Sequence, residues 1–228
     1  YSSLLWTTTG YGSFDDPTAL NPVYQPQGFD ITSGHVSLIL AAYPMAPCED
    51  TYYDTVYVEI VKQAFAYAGS NANVCETTPY QLNSSSASNY SSLLWTSSGD
   101  GSFDDPHSLH AVYSPGSADA SSGFAILTLT AYPLSPCTEN ATDNMVLNVE
   151  AAPEAMAGDD ASVCEGDSFQ TMATASHYSS LLWISSGDGS FDNASSENTT
   201  YQPGSQDINN GLVELSLIAY ANSPCDEA

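Results

Sequence analysis

The chain has almost no positive charge. Its 228 residues include one lysine, Lys62, and no arginine, against 27 acidic residues, for a formal net charge of −26. That balance excludes nucleic acid as a partner, because affinity for the phosphate backbone comes mainly from Lys and Arg. Anionic membrane surfaces and phosphate-bearing substrates are excluded on the same ground. No run approaches the roughly 18 unbroken apolar residues of a membrane span, so membrane insertion by this segment is not expected. Sustained helical periodicity is missing too. There is no Cys-x-x-Cys pair, no Gly-x-Ser-x-Gly, no His-Glu-x-x-His and no phosphate-cradling loop.

What is present is a repeat. Tyr-Ser-Ser-Leu-Leu-Trp starts at Tyr1, Tyr90 and Tyr178, spacings of 90 − 1 = 89 and 178 − 90 = 88 residues. Tandem copies of one unit belong to fibres, stalks and multivalent surfaces. The acidic residues are spread along the chain, as in a solvated, self-repelling exterior. At 42% hydrophobic and 11% aromatic residues the chain is no disordered acidic tail.

The copies align into strands. His35–Tyr43, Phe124–Tyr132 and Leu212–Tyr220 hold Val/Ala/Val, Leu/Leu/Leu, Leu/Leu/Leu and Ala/Ala/Ala at alternate positions, while the interleaved residues vary. Period two with one apolar face is a half-buried β-strand. Val56, Val58 and Ile60 match Met145, Leu147 and Val149 in a second such strand. Ser98–Ser102 and Ser186–Ser190, both Ser-Gly-Asp-Gly-Ser, read as tight turns. The chain is therefore expected to be all-β, as tandem immunoglobulin/PKD-like sandwiches arranged end to end. The boundaries expected are a partial repeat over 1–64 lacking its first strands, a complete repeat over 65–153, and a partial repeat over 154–228 lacking its last strand. The linkers 63–69 and 151–158 are short and not Gly/Ser-rich, which favours limited swing. Both outer repeats being incomplete reads as a window on a longer chain.

Five cysteines point to an oxidising compartment. Pairing within a repeat would join Cys75 to Cys137 and Cys164 to Cys225, closing 137 − 75 = 62 and 225 − 164 = 61 residues, with Cys48 unpaired in this fragment. Each such loop is worth about 4 kcal/mol. Cys75, Trp95, Cys137 and Cys164, Trp183, Cys225 have the spacing of an immunoglobulin-like sandwich. Trp6, Trp95 and Trp183 are thus the expected core residues, lying over the disulfide on a central strand.

Tyr90–Asp105, Tyr113-Ser-Pro and Ala131-Tyr-Pro-Leu-Ser-Pro-Cys137 together resemble the PKD-like/Ig-like repeats of giant Bacteroidota surface adhesins and extracellular fibres, the gliding-adhesin type. The resemblance covers the whole chain. It implies a bacterial cell-surface location and a structural role, and transfers no catalytic residue. It also implies O-linked sugar at sequences such as Asp54-Thr55-Val56, hence at Thr55. Repeat one departs from the pattern, with Gly10-Tyr11-Gly12 where the others have Gly-Asp-Gly.

Sharper functions can be weighed residue by residue. Asp104 and Asp105 offer hard oxygen ligands for structural calcium, but Asp beside Gly, Ser and Pro also builds Asx-turns, so no metal site is assigned. Asn83, Asn89, Asn140, Asn193 and Asn198 are N-glycosylation sequons. Adjacent Asp pairs in a turn point apart and make poor glycosidase dyads, so no enzyme is expected. Tyr52, Tyr53, Tyr57, Phe65 and Tyr67 cluster near the end of repeat one and suit protein packing or a sugar platform. The leading expectation is a semi-rigid, disulfide-stapled stalk whose partners are neighbouring repeats or copies of itself. The alternatives are a subunit of a donor-strand filament or a carbohydrate-binding module of a secreted protein.

Overall fold

The structure, a computed structural model, describes residues 1–225. Repeat one forms β1 (Ser3–Thr8), β2 (Ser13–Phe14), β3 (Tyr24–Gln25), α1 (Phe29–Ser33), β4 (His35–Tyr43) and β5 (Tyr52–Glu59). Then come β6 (Phe65–Tyr67), β7 (Ala72–Cys75), β8 (Tyr80–Gln81), β9 (Ser86–Ser88), β10 (Tyr90–Ser97), β11 (Ser102–Phe103), β12 (Val112–Ser114), α2 (Ser117–Ser122), β13 (Phe124–Pro133) and β14 (Ala141–Glu150). Repeat three contributes β15 (Glu154–Met156), β16 (Phe169–Gln170), β17 (Thr174–Ser176), β18 (Tyr178–Ser185), β19 (Ser190–Phe191), β20 (Thr200–Gln202), α3 (Ser205–Asn210) and β21 (Leu215–Ala221). The chain is nearly all β, as expected.

In repeat two, the sheet β10–β13–β14–β7 faces the sheet β11–β12–β8. The alternation read from sequence is realised in β13, where Ala125, Leu127, Leu129 and Ala131 are all fully buried, and in β14, where Met145, Leu147 and Val149 are buried. Each Leu, Met or Val side chain so buried stabilises the sandwich by roughly 1.5–3 kcal/mol. In β4 the alternation holds for Val36 and Leu38 and then shifts, with Ala41 buried and Leu40 and Ala42 only half-buried.

The repeated tryptophans bridge the two layers. Trp95 of β10 is buried and stacks on Phe103 of β11, ring centroids 6.1 Å apart, and Phe103 in turn lies 4.9 Å from Tyr113 of β12. Trp6 packs on Phe14 at 5.9 Å and Trp183 on Phe191 at 5.8 Å. Trp95 and Trp183 are buried as expected, whereas Trp6 is only half-buried; the aromatic partner was not expected. The indole is pinned by the phenyl ring of the Gly-Ser-Phe strand, and the Cys75–Cys137 disulfide expected beneath Trp95 does not form. The hexamer strand is not central either. β1 and β10 end their sheets, and the long apolar strands β4 and β13 lie second in order.

Three short helices were not legible in the sequence. α1, α2 and α3 span 5, 6 and 6 residues, too few for helical periodicity. Each starts after a glycine (Gly28, Gly116, Gly204) and ends at a left-handed glycine (Gly34, Gly123, Gly211), where a side chain would be strained.

The chain folds as two compact units. One holds residues 1–66, 87–93 and 130–142; the other holds 67–86, 94–129 and the described residues from 143 onward.

Candidate functional site at the strand edges and cysteines

β7 pairs parallel with β14, in the register Leu147–Ala72, Asn148–Asn73, Val149–Val74 and Glu150–Cys75. Cys75 is thereby carried to the end of β14, where its sulfur bonds to Cys225 with Cα atoms 4.7 Å apart. Cys225 Sγ lies 3.4 Å from the carbonyl oxygen of Glu150 and 3.8 Å from that of Ala151. Around the bond Val74, Cys75, Val149 and Cys225 are all buried. The disulfide thus ties β7 of repeat two to the Ser-Pro-Cys loop of repeat three.

This corrects the pairing expected from sequence. Cys75 does not pair with Cys137, and Cys164 does not pair with Cys225; Cys137 and Cys164 are free, as is Cys48. The reason is geometric. The Ser-Pro-Cys loop of the following repeat, not of the same one, folds back to the end of β14. With a period of 89, pairing within a repeat and pairing with the next join the same two repeat positions, so spacing alone could not separate them. The Pro of each such loop has a cis peptide bond, at Ala46–Pro47, Ser135–Pro136 and Ser223–Pro224.

Cys137 occupies the equivalent place at the end of repeat one. Cys137 Sγ lies 3.5 Å from the carbonyl oxygen of Val61 and 3.8 Å from that of Lys62. Subtracting one period from Glu150 and Ala151 gives 150 − 89 = 61 and 151 − 89 = 62, so Cys137 sits where Cys225 sits. Among the described residues, β5 ends the sheet β1–β4–β5. Val56, the counterpart of buried Met145, is 46% exposed.

Carboxylates organise the turns. Asp30, Asp119 and Asp207 are buried in all three repeats, a node the sequence reading missed. Asp119 Oδ2 accepts hydrogen bonds from the Tyr113 hydroxyl at 2.6 Å and Gly116 N–H at 3.0 Å. Asp207 Oδ2 accepts from Tyr201 and Gly204 at 2.7 and 2.9 Å, and Asp30 Oδ2 from Tyr24 and Gly12 at 2.7 and 2.9 Å. The Tyr24 hydroxyl is the main cause holding Asp30 below the usual carboxylate range; for Asp207 it is Gly204 N–H, then the Tyr201 hydroxyl. Burial pushes the Tyr113 hydroxyl up to about 12. Asp100, in the Gly-Asp-Gly turn, accepts from Ala118 N–H at 3.0 Å and Asp119 N–H at 3.3 Å. Repeat one, with Tyr11 in that place, lacks this brace.

The calcium candidates belong to turns. Asp104 Oδ1 accepts from Val112 N–H and Asp105 N–H, both at 2.7 Å, and those bonds lower its pKa. Asp105 Oδ1 accepts from His107 N–H at 2.9 Å. Among the described residues no group of three or more His, Cys, Asp or Glu side chains is placed to hold a metal ion.

Of the sequons, Asn83, Asn140, Asn193 and Asn198 are exposed and Asn89 is half-buried. The side-chain amide of Asn89 donates to the carbonyl of Gln63 at 3.1 Å, so the nitrogen that would carry a glycan is occupied by structure. Asn193 and Asn198 use their side-chain oxygens to accept from Ser195 N–H and Ala173 N–H. Thr55 is exposed on β5. Tyr52, Tyr53, Tyr57 and Phe65 are 77, 68, 65 and 52% exposed, and Tyr57 stacks on His35 at 5.4 Å.

In fold, the chain is similar to cadherin repeats. The EC22–24 segment of mouse cadherin-23 is 16% identical and matches over 88% of this chain and 76% of its own, with a TM-score of 0.46. The EC21–23 segment of human CDH23 is 11% identical, over 89% and 79%, also with a TM-score of 0.46. No protein-family model matches, and no curated protein does. Among the described residues no helix is long and apolar enough to cross a membrane, which says nothing of strands.

Proposed function

We propose that this chain is a structural, non-catalytic repeat segment of an extracellular fibre or surface adhesin, acting as a covalently stapled stalk on a bacterial surface. One observation carries the reading: the Cys75–Cys225 bond joins consecutive repeats rather than closing one of them. A disulfide inside a repeat protects that repeat alone. One between repeats passes load from a strand of one sandwich to a loop of the next and bypasses the chain between. The closed loop spans 150 residues, which by loop entropy stabilises by about 5 kcal/mol. Disulfides persist in oxidising, extracellular compartments. A coat of −26 net charge and a single cation keeps such a rod from collapsing on its neighbours. Exposed Asn83, Asn140, Asn193 and Asn198, with Thr55, are where glycans would extend that coat.

Force spectroscopy tests the reading. Pulled from its ends under oxidising conditions, the chain should extend roughly 500 Å less than with reductant present, since the segment between Cys75 and Cys225 stays locked. Equal extension in both conditions would show that the bond carries no load. Binding of the chain to immobilised glycans, with no such difference, would favour a carbohydrate-binding module instead.

A further inference from the structure

We propose that Tyr11 and Phe29 of repeat one form a docking point for an arginine-bearing segment of a partner protein. Tyr11 lies in the turn between β1 and β2, and Phe29 is the first residue of α1. Their ring centroids are 6.0 Å apart and the planes meet at 57°, an open V rather than a closed stack. Tyr11 is 74% and Phe29 63% exposed, so most of each ring surface stays open.

The exposure belongs to the position, not to its place in the chain. One period on, Asp100 and Ala118 are exposed, and two periods on, so are Asp188 and Gln206. What differs is the chemistry. In repeats two and three the aspartate caps the short helix: Asp100 Oδ1 accepts from Ala118 and Asp119 N–H at 3.0 and 3.3 Å, and Asp188 Oδ1 from Gln206 and Asp207 N–H at 3.1 and 3.3 Å. A Cβ on Gly116 or Gly204 would collide with that carboxylate. Repeat one changes the whole set together. Tyr11 replaces the aspartate, Phe29 replaces Ala118, and Gln27 stands where Gly116 does. The glycine moves one residue on to Gly28, which takes φ +51° and packs so that a Cβ on it would lie 3.9 Å from Tyr11 Cβ. Exchanging a helix cap for two aromatic rings in water breaks a local rule of stability, and such breaks mark binding surfaces.

Charge selects the occupant. Aromatic rings present a negative face. Tyr11 N–H donates to Asp30 Oδ1 at 2.8 Å, so a buried carboxylate held below its usual range stands at the base of the pair. With 27 acidic residues and one lysine, 27 − 1 = 26 carboxylates have no Lys or Arg to pair with among these 228 residues. That field draws in a basic segment and repels an acidic one, a second copy of this chain included. Guanidinium suits the V better than ammonium, because it is planar, weakly hydrated and stacks on aromatic faces.

The site uses neither Cys75 nor Cys225, so its failure leaves the stalk reading untouched. The test is fluorescence anisotropy of a labelled Arg-Ser repeat peptide titrated with the whole chain. The parent should bind it, and should hardly bind the same peptide with citrulline, a neutral mimic, for arginine. Tyr11→Ala and Phe29→Ala should each weaken binding about two- to fivefold. Tyr57→Ala, which removes a comparably exposed ring from β5, should not. Tyr11→Asp combined with Gln27→Gly restores the pattern of repeat two with its helix cap, and should lose the same affinity while staying at least as stable to heat as the parent. In about 0.5 M salt every affinity should fall, but the ratio of parent to Tyr11→Ala should persist, because ring–cation contact is short-range. Equal binding by the parent and the Tyr11 and Phe29 variants, a citrulline peptide bound as tightly as the arginine one, or a ratio that vanishes in salt would each overturn the proposal. So would binding to immobilised glycans that depends on the pair while peptide binding does not.

Discussion

The Tyr113 hydroxyl donates a 2.6 Å hydrogen bond to Asp119 Oδ2, and neither side chain has measurable exposure. The pair links β12 to the helix α2 across a six-residue step. It recurs as Tyr24–Asp30 and Tyr201–Asp207, both at 2.7 Å. Tyr113 also reaches the Ser97 hydroxyl at 2.7 Å, so its oxygen joins β10, β12 and α2 at one point.

Removing that hydroxyl leaves a buried carboxylate short of a donor. Tyr113→Phe keeps the ring against Phe103 and should therefore destabilise by about 1–3 kcal/mol through the polar loss alone. Tyr113→Ala also removes the packed ring and should cost roughly 3–5 kcal/mol. Urea titration followed by tryptophan fluorescence separates the two. A Phe variant as stable as the parent would mean that the node is dispensable.

Part of this architecture was legible and part was not, for identifiable reasons. Leu127, Leu129, Met145 and Leu147 declared themselves, because period-two burial writes directly into sequence and three copies averaged out the noise. Trp95 declared itself as core but not its partner, since stacking on Phe103 depends on which sheet faces which. Asp119 was invisible: a buried carboxylate among 27 acidic residues looks like surface. The disulfide was misassigned because Cys137 and Cys225 occupy one repeat position, and only the three-dimensional path of the Ser-Pro-Cys loop tells which of them reaches Cys75.

Gly99 is forced by the same node. A Cβ there would collide with Asp119 Oδ1, and one on Gly187 with Asp207 Oδ1. Gly99→Ala should cost about 1–3 kcal/mol by overpacking against an immobile carboxylate. Gly123, by contrast, has open space around it but φ +80°, so Gly123→Ala should cost only about 1 kcal/mol, from backbone strain. Thermal unfolding of the two variants side by side checks the ordering. The reverse order would place the constraint in the helix end rather than in the carboxylate node.

The node carboxylates also set how stability responds to acid. Asp30, Asp100, Asp104, Asp192 and Asp207 are all held below their ordinary value of 3.8, by the Tyr24 hydroxyl, Ala118 N–H, Val112 N–H, the Thr199 hydroxyl and Gly204 N–H respectively. A carboxylate with a depressed folded-state pKa contributes stability that is complete above its unfolded value and disappears as the pH falls through the folded one. The loss therefore falls below pH 3.8. Tyr113 has the opposite sign: pushed from 10.0 up to about 12, it contributes below pH 10 and that contribution fades between pH 10 and about 12. Mutual repulsion among 27 acidic residues runs against the acid limb, because protonation relieves it. In low salt the thermal midpoint should thus rise on mild acidification and then fall below pH 3.8. In about 1 M salt, where the Debye length is near 3 Å, the rise should vanish and the fall remain. Asp104→Asn combined with Asp192→Asn should flatten the fall without restoring the rise. A midpoint that keeps rising below pH 3.8 at high salt would show that these carboxylates are not held by their hydrogen bonds.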